Sequence, residues 1–276
     1  MPDSISNPDS EIWARYARLL RSAVSPERLS ITTQLAETFF DQSRGEKERA
    51  HALVRYIQEV NRITETQYAG HTLAEDPDFI EQRRLANELF ADLDFIYTGT
   101  SESALRRFFE GAEDEDYVGT LWQATKAASS YNLVVSNLDF HLRSWFVLGF
   151  YSSAYELACK VIAKLVQNLL ATGNLSCGDA RQQLQERLSR YSTIADNLDN
   201  FLRNAINHVQ YIFNDQTGLV DAWNVRDGVK TPKRSYQPND IFHKTVSLLF
   251  LIVALYVVYN EQLEAFLIRQ YGVTTS

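Results

Sequence analysis

Apolar positions recur at three- and four-residue spacing through most of the chain, and runs of strict alternation are short. That period belongs to helices with one buried face. In the first half, Leu53, Ile57, Val60 and Ile63 carry it through residues 46–69. The stretch "SPERLSITTQLAETFFDQSRG" reads as a helix with Ser25 as cap, Pro26 at the first position and Gly45 past the end. "DPDFIEQRRLANELFADLDFIYTG" repeats the design, with Asp76 as cap, Pro77 first and Gly99 as the stop. With "EIWARYARLLRSAV" in front, four helices are expected, packed as a bundle. In the second half the pattern predicts a long helical stretch from about Leu121 to Leu148. "YSSAYELACKVIAKLVQNLLATG" follows, closed by Gly173, and then a charged helix, "DARQQLQERLSRYS", precedes a helix ending in "LRNAINH". β-formers on either side of "NDQTG" predict a short hairpin. A basic loop, "RDGVKTPKRSYQP", then leads to Asn239 as cap of an apolar final helix. The expected architecture is all-α, two helical bundles with a short β-hairpin inserted after the "LRNAINH" helix.

Composition agrees with this. The 276 residues hold only 11 Gly and 6 Pro, while 45% are hydrophobic, enough for a substantial core. "TVSLLFLIVALYVVY", residues 245–259, is free of charge but short of the roughly 20 residues a membrane crossing needs. A buried core helix is the expectation there, and no membrane association is expected. The N-terminus lacks a basic segment followed by an apolar one, so no signal peptide is read. Cys159 and Cys177 stand apart from any metal-ligand spacing and are expected to be buried or idle thiols in a reducing compartment, with a cytoplasmic setting as the default.

Charge divides the chain. Residues 1–125 carry 13 Lys+Arg against 23 Asp+Glu, and residues 126–276 carry 14 against 12. "EGAEDED", residues 110–116, is the natural boundary, because four consecutive acids cannot pack into a core. Two domains are therefore expected, an acidic one over 1–116 and a near-neutral one over 117–276. The acidic run reads as solvated surface, or as a lid over basic residues of the second half. Its carboxylates lack the spacing of an EF-hand loop.

The segment "LRNAINH" places Arg203, Asn204, Asn207 and His208 within six residues of an otherwise core-like helix. Each residue advances about 100°, so Arg203 and His208 are offset by about 140°. A single helix cannot easily aim both at one atom, whereas two copies related by a twofold axis can share a cleft. Arginine and histidine suit RNA cleavage without a metal. Histidine, ordinarily titrating near about 6.5, exchanges a proton with the ribose 2′-hydroxyl and the leaving 5′-oxygen. The arginine fork matches phosphate oxygens as charge builds on them. Products would be a 2′,3′-cyclic phosphate and a 5′-hydroxyl.

"LRNAINH", followed by an aromatic-rich hairpin and a long apolar helix, resembles the signature of HEPN domains (higher eukaryotes and prokaryotes nucleotide-binding), over roughly residues 125–270. Their motif is an arginine, a polar residue and a histidine four to six residues after the arginine, positions that Arg203, Asn204 and His208 fill. The resemblance implies a helical bundle, dimerisation that builds a composite site, and metal-independent endoribonuclease activity in toxins and phage-defence effectors. His208 would be the acid/base, Arg203 the transition-state stabiliser and Asn204 an orienting group, with no cofactor. Residues 1–116 would sense a trigger, bind a protein partner or restrain the nuclease.

RNA contact beyond the motif would fall to Asn207, Tyr211, Arg226, Lys230, Lys233 and Arg234, with Arg181, Arg187 and Arg190 extending the positive surface. Trp223 and Tyr236 join Tyr211 as aromatics able to stack unpaired bases, or simply to pack. His141, between Asp139 and Arg143, reads as an ordinary half-buried histidine, and His51, His71 and His243 stand alone. No P-loop, nucleophile-elbow or zincin motif occurs. The competing reading is that Arg203 and His208 make surface ion pairs and caps, and that the chain is a non-catalytic interaction module, the sensor or partner half of a defence or toxin–antitoxin pair.

Overall fold

The structure, a computed structural model, describes residues 43–67, 73–96, 139–170, 172–186 and 188–274, with Thr38 and Asp41. The expected helix at 11–24, most of that at 25–45, the acidic run at 110–116, the stop at Gly99 and the stretch before Asp139 lie outside the described residues. The chain is mostly helical with a small antiparallel sheet. In order come α1 (Glu46–Gln67), a short 3-10 turn (Leu73–Glu75) and α2 (Pro77–Ile96). Then follow α3 (Phe140–Leu169), α4 (Cys177–Glu186), a 3-10 turn (Ser189–Tyr191), α5 (Ser192–Asn197) and α6 (Asn200–Asn207). Strands β1 (Tyr211–Asn214), β2 (Leu219–Ala222), β3 (Val225–Arg226), β4 (Val229–Lys230) and β5 (Arg234–Tyr236) precede α7 (Pro238–Tyr271).

α7 is the axis of the core, packed against α1, α2 and α3. Its residues from Leu251 to Leu255 and from Val257 to Asn260 are consecutive and buried, so every side of the helix is covered. α1 runs antiparallel to it, since Gln58 meets Glu264 and Asn61 meets Val257 and Asn260. The Asn61 and Asn260 side chains bond to each other at 2.9 Å in this apolar setting, satisfying groups that would otherwise be costly to bury. α2 adds Phe79 edge-on to Phe250 and Arg83 to Glu261. The helices described on either side of the acidic run thus contribute to one continuous core. By length and composition α3 and α7 could each cross a membrane, and 61% of each apolar window is buried within the protein.

Asp76 caps α2 as expected, its Oδ1 accepting from the amides of Asp78 (2.9 Å) and Phe79 (3.4 Å). Other boundaries differ from the sequence reading. The break expected near Leu148 is absent, and α3 runs on through Gly149, which meets no atom within 4 Å of where a Cβ would stand. One exposed glycine costs a helix only about 1 kcal/mol, too little to end one so well packed on both flanks. Gln237, not Asn239, occupies the cap position of α7, because Pro238 already has the fixed φ suited to a first helical residue. The charged helix stops at Glu186, and Tyr191 turns inward to bond Asp92 of α2 at 2.7 Å.

The hairpin at "NDQTG" forms as expected, Tyr211 facing Ala222 and Asn214 facing Leu219. What reads as a basic loop is ordered further. Asp227 and Gly228 both take positive φ, 51° and 78°, the pattern of a type I′ turn, and join β3 to β4. β5 then returns beside β2, with Arg234 facing Ala222 and Tyr236 facing Val220.

Candidate functional site

α6 is held at both ends. Asp199 caps its start, Oδ1 accepting from the amides of Phe201 and Leu202 at 3.1 Å each. The other carboxylate oxygen accepts from the Tyr236 hydroxyl at 3.0 Å, and the Asp199 amide donates to Tyr151 Oη at 2.9 Å. Burial raises both tyrosine hydroxyls well above their usual range, so they remain protonated and able to donate. Tyr236, a candidate from sequence for stacking on bases, is thereby committed to this cap. At the far end His208 is the cap residue, the Val209 amide donates to Ile206 O (3.1 Å) and the Gln210 amide to Ala205 O (2.8 Å). This is the Schellman closure, whose left-handed position ordinarily carries glycine. Here it carries Val209 at φ 53°, with its side chain 73% exposed. At helical spacing Val209 would fall on the apolar side of α6 with Leu202, Ala205 and Ile206. Leu202 and Ala205 are buried there, but the chain has already left the helix at Val209.

A β-branched residue in that conformation is strained by about 1–2 kcal/mol, and its exposure means no packing offsets the strain. The strain sits beside the motif histidine. His208 is exposed, with no side-chain hydrogen bond among those described.

Arg203 is oriented by a residue that the sequence reading missed. Its Nε donates to Glu156 Oε1 of α3 at 2.6 Å and its Nη2 approaches the same oxygen at 2.5 Å. Nη1 donates to Asn204 Oδ1 at 3.1 Å, and the guanidinium lies 5.9 Å from the Tyr155 ring centre. Asn207, one turn on, accepts from Ser152 Oγ at 3.1 Å. Ser152, Tyr155 and Glu156 therefore form a continuous strip of α3 facing α6. Glu156 lies 47 residues from Arg203. The available signal was that it is the only acid in the α3 sequence.

The basic residues gather unevenly. The Trp223 amide donates to Gln210 O at 3.0 Å, which sets that indole two residues beyond His208 across the ladder. Lys230 Nζ lies 4.8 Å from the Trp223 ring, and the Arg234 guanidinium 4.2 Å from the Phe201 ring on α6. Asn224 Nδ2 donates to Phe201 O at 3.2 Å, pinning the hairpin to the same helix. Lys233 instead faces Asp221 at 3.8 Å, while Arg226 is exposed on β3 and Tyr211 packs half-buried near Phe213. Arg181 donates to Ala195 O at 3.1 Å and Arg190 pairs with Asp92, both framework contacts. Arg187 lies outside the described residues.

His141 departs from expectation. It is exposed, its Nε2 2.6 Å from Asp215 Oδ1 at the β1–β2 turn, and its ring stands edge-on to Phe213. Cys159 and Cys177 also depart from it: they form a disulfide, Cα to Cα 5.3 Å, joining α3 to the first residue of α4. The α3–α4 packing brings the two thiols within bonding range, which no sequence spacing reveals. Among the described residues no group of three or more His, Cys, Asp or Glu is placed to hold a metal ion.

No family model, curated protein or solved structure matches this chain.

Proposed function

We propose that the chain is a HEPN-type, metal-independent endoribonuclease, a toxin or phage-defence effector acting on RNA in the cytoplasm. The observation that carries this reading is the arrangement on α6. An arginine held by a carboxylate and an asparagine shares one short, doubly capped helix with an exposed histidine at its C-terminus. Glu156 fixes the guanidinium's direction, and one nitrogen edge stays directed to Asn204. A phosphate arriving there meets a preset fork rather than a mobile side chain. His208 is free to exchange a proton with the 2′-hydroxyl and the leaving oxygen. The 140° offset between the two residues favours a homodimer, in which each copy's arginine works with its partner's histidine across a twofold axis. Trp223 with Lys230, and Arg234 over Phe201, then offer a stacking face and two cations beside the cleft for single-stranded RNA. Residues 1–116 would carry a sensing or restraining partner contact.

The test is cleavage of end-labelled tRNA and mixed-sequence single-stranded RNA in excess EDTA, beside Arg203→Ala and His208→Ala. Wild type is expected to leave 2′,3′-cyclic phosphate and 5′-hydroxyl ends, with each variant reduced by roughly 10²-fold or more. Folded wild type that leaves every RNA intact as a verified dimer would overturn the reading.

One observation favours the non-catalytic alternative. Glu156 neutralises Arg203, and near the start of α3, about three to four turns away, Leu142 and Trp145 are 52% and 64% exposed, features of a protein-binding face. Expression separates the two readings, because only a nuclease slows growth in a His208-dependent way.

A further inference from the structure

We propose that the Cys159–Cys177 bond is a reversible redox latch on α6, opened at Cys177 by a dithiol protein reductant. Among the described residues, the side chains of α3 from Tyr151, which accepts from the Asp199 amide, to Glu156 orient α6 from that side. Ser152 meets Asn207, Glu156 meets Arg203, and Cys159 is bonded to Cys177. Tyr155 lies between them. Its hydroxyl is 3.5 Å from Cys177 Sγ and 3.4 Å from Asn200 Oδ1 at the start of α6, and its ring faces the Arg203 guanidinium. Gly178, the next residue of α4, lies near α6, since a Cβ placed on it would stand 3.9 Å from Asn200 Nδ2. The disulfide thus fixes the start of α4 against both Tyr155 and Asn200. Elsewhere α4 is tied by its own capping pair, Ser176 with Asp179, by Arg181 to Ala195 O, and by packing along α3 with Ala180 and Leu184 buried in the core. The disulfide adds to that packing a covalent link between the first turn of α4 and α3.

The two sulfurs differ in access. Cys159 is 5% exposed in the core, whereas Cys177 is half-buried at the beginning of a ten-residue helix. A thiolate of the reductant attacks Cys177 Sγ, the sulfur–sulfur bond breaks, and Cys159 leaves with the electron pair and takes a proton. The reductant's second thiol then attacks the mixed disulfide, closes its own disulfide and releases Cys177. The protein gains two electrons and two protons, and the dithiol is oxidised to a disulfide. A Cys177 thiolate at a helix start is favoured by the exposed amides and the helix dipole, which eases reduction. A low-molecular-weight disulfide such as oxidised glutathione restores the bond by the reverse exchange.

Opening the latch frees the first turn of α4 and with it the support under Asn200 and Tyr155, while α7 and its partners keep their packing. The consequence for RNA cleavage rests on the ribonuclease reading above; the effect on α6 does not.

The experiment measures hydrogen–deuterium exchange by mass spectrometry on the full chain, oxidised, reduced by thioredoxin-class dithiol and reoxidised with glutathione disulfide. Cys177→Ser is measured beside them, and RNA cleavage is assayed in the same samples. Reduction is expected to raise exchange at least tenfold in residues 200–208, to leave residues 251–260 unchanged, and to lower cleavage at least tenfold, reversibly. Cys177→Ser should match the reduced protein and cease to respond. The latch is overturned if the two cysteines stay as thiols under oxidant, if α6 does not respond, or if α6 and α7 loosen together. The wild-type comparison stands even if the variant fails to fold. Should α6 respond while no RNA is cut in either state, the latch holds and the ribonuclease reading fails. Should RNA be cut equally in both states with α6 unresponsive, the reverse is true.

Discussion

α7 is 34 residues long and, from Leu251 to Leu255 and from Val257 to Asn260, buried on every side, whereas α6 has eight residues, a polar outer face and a strained exit. Stability in α7 comes from many interchangeable apolar contacts. α6 is fixed by a few specific polar groups, Asp199, Tyr151, Tyr236 and Glu156, each with a named partner. The difference separates two kinds of residue. Truncation around α7 is expected to lower stability, while substitution around α6 is expected to alter the site in a protein that remains folded.

Ile252 lies on α7 with no exposed surface. Ile252→Ala is expected to lower the unfolding free energy by about 2–5 kcal/mol, read from urea unfolding. A loss below about 1 kcal/mol would mean that α7 is not the core axis. Deleting residues 1–116 removes α1 and α2 and uncovers the α7 face they bury, so that fragment is expected to aggregate or unfold. Glu156→Gln keeps the side chain's shape but removes the charge that steers Arg203. Stability is expected to change by under about 1 kcal/mol, as for other solvent-facing pairs. RNA cleavage should fall roughly tenfold, equivalent to about 1.4 kcal/mol in the barrier. Equal losses of stability and cleavage would make Glu156 part of the framework, no different in kind from the apolar residues around α7.

The helices α1, α2 and α7 are visible in the sequence because apolar spacing, and for α2 the Asp–Pro start, are local signals, whereas the proline start of α7 reads as the end of a loop. The same locality explains the errors. A break is expected near Leu148, but α3 runs on through it because both flanking stretches are packed into the core. Asp227–Gly228 was a legible type I′ signal, obscured by the surrounding charge, which reads as a loop. At the site, Arg203, Asn204 and His208 stand out as residue types in one short segment. Glu156, the Asp215 that meets His141, and the Cys159–Cys177 bond depend on which elements pack together. Pairings across 18, 47 and 74 residues leave no trace in periodicity.

Val209 sharpens the comparison with a smaller effect. Glycine at this left-handed position relieves the steric strain, but it also gives the unfolded chain more freedom, which offsets part of the gain. Val209→Gly is expected to stabilise the protein by about 1 kcal/mol, seen as a rise in the denaturant midpoint with an unchanged slope. If cleavage falls while stability rises, the valine holds His208 in a working position. If both are unchanged, the left-handed turn is not populated in solution.

The smallest effect is expected at Asp221, on the sheet that pins α6. The Ser235 hydroxyl donates to its carboxylate at 2.7 Å, Asn214 adds a longer bond, and Lys233 lies 3.8 Å away. Ser235 above all, then Asn214 and Lys233, holds this carboxyl below the usual range, against a smaller opposing effect of burial. The folded state therefore favours the ionised form. Its contribution is complete above the ordinary aspartate value of about 3.9 and is lost as pH falls through the lower folded value. Asp221→Asn is expected to lose about half a kcal/mol at neutral pH, the scale of a partly solvated pair. The gap between wild type and variant should close as the pH drops below about 3.9. Thermal midpoints taken from neutral to acid pH test this directly. A gap that persists at the acid end would assign the loss to the altered hydrogen bonds with Ser235 and Asn214 rather than to charge, and would make the sheet, like α7, indifferent to ionisation.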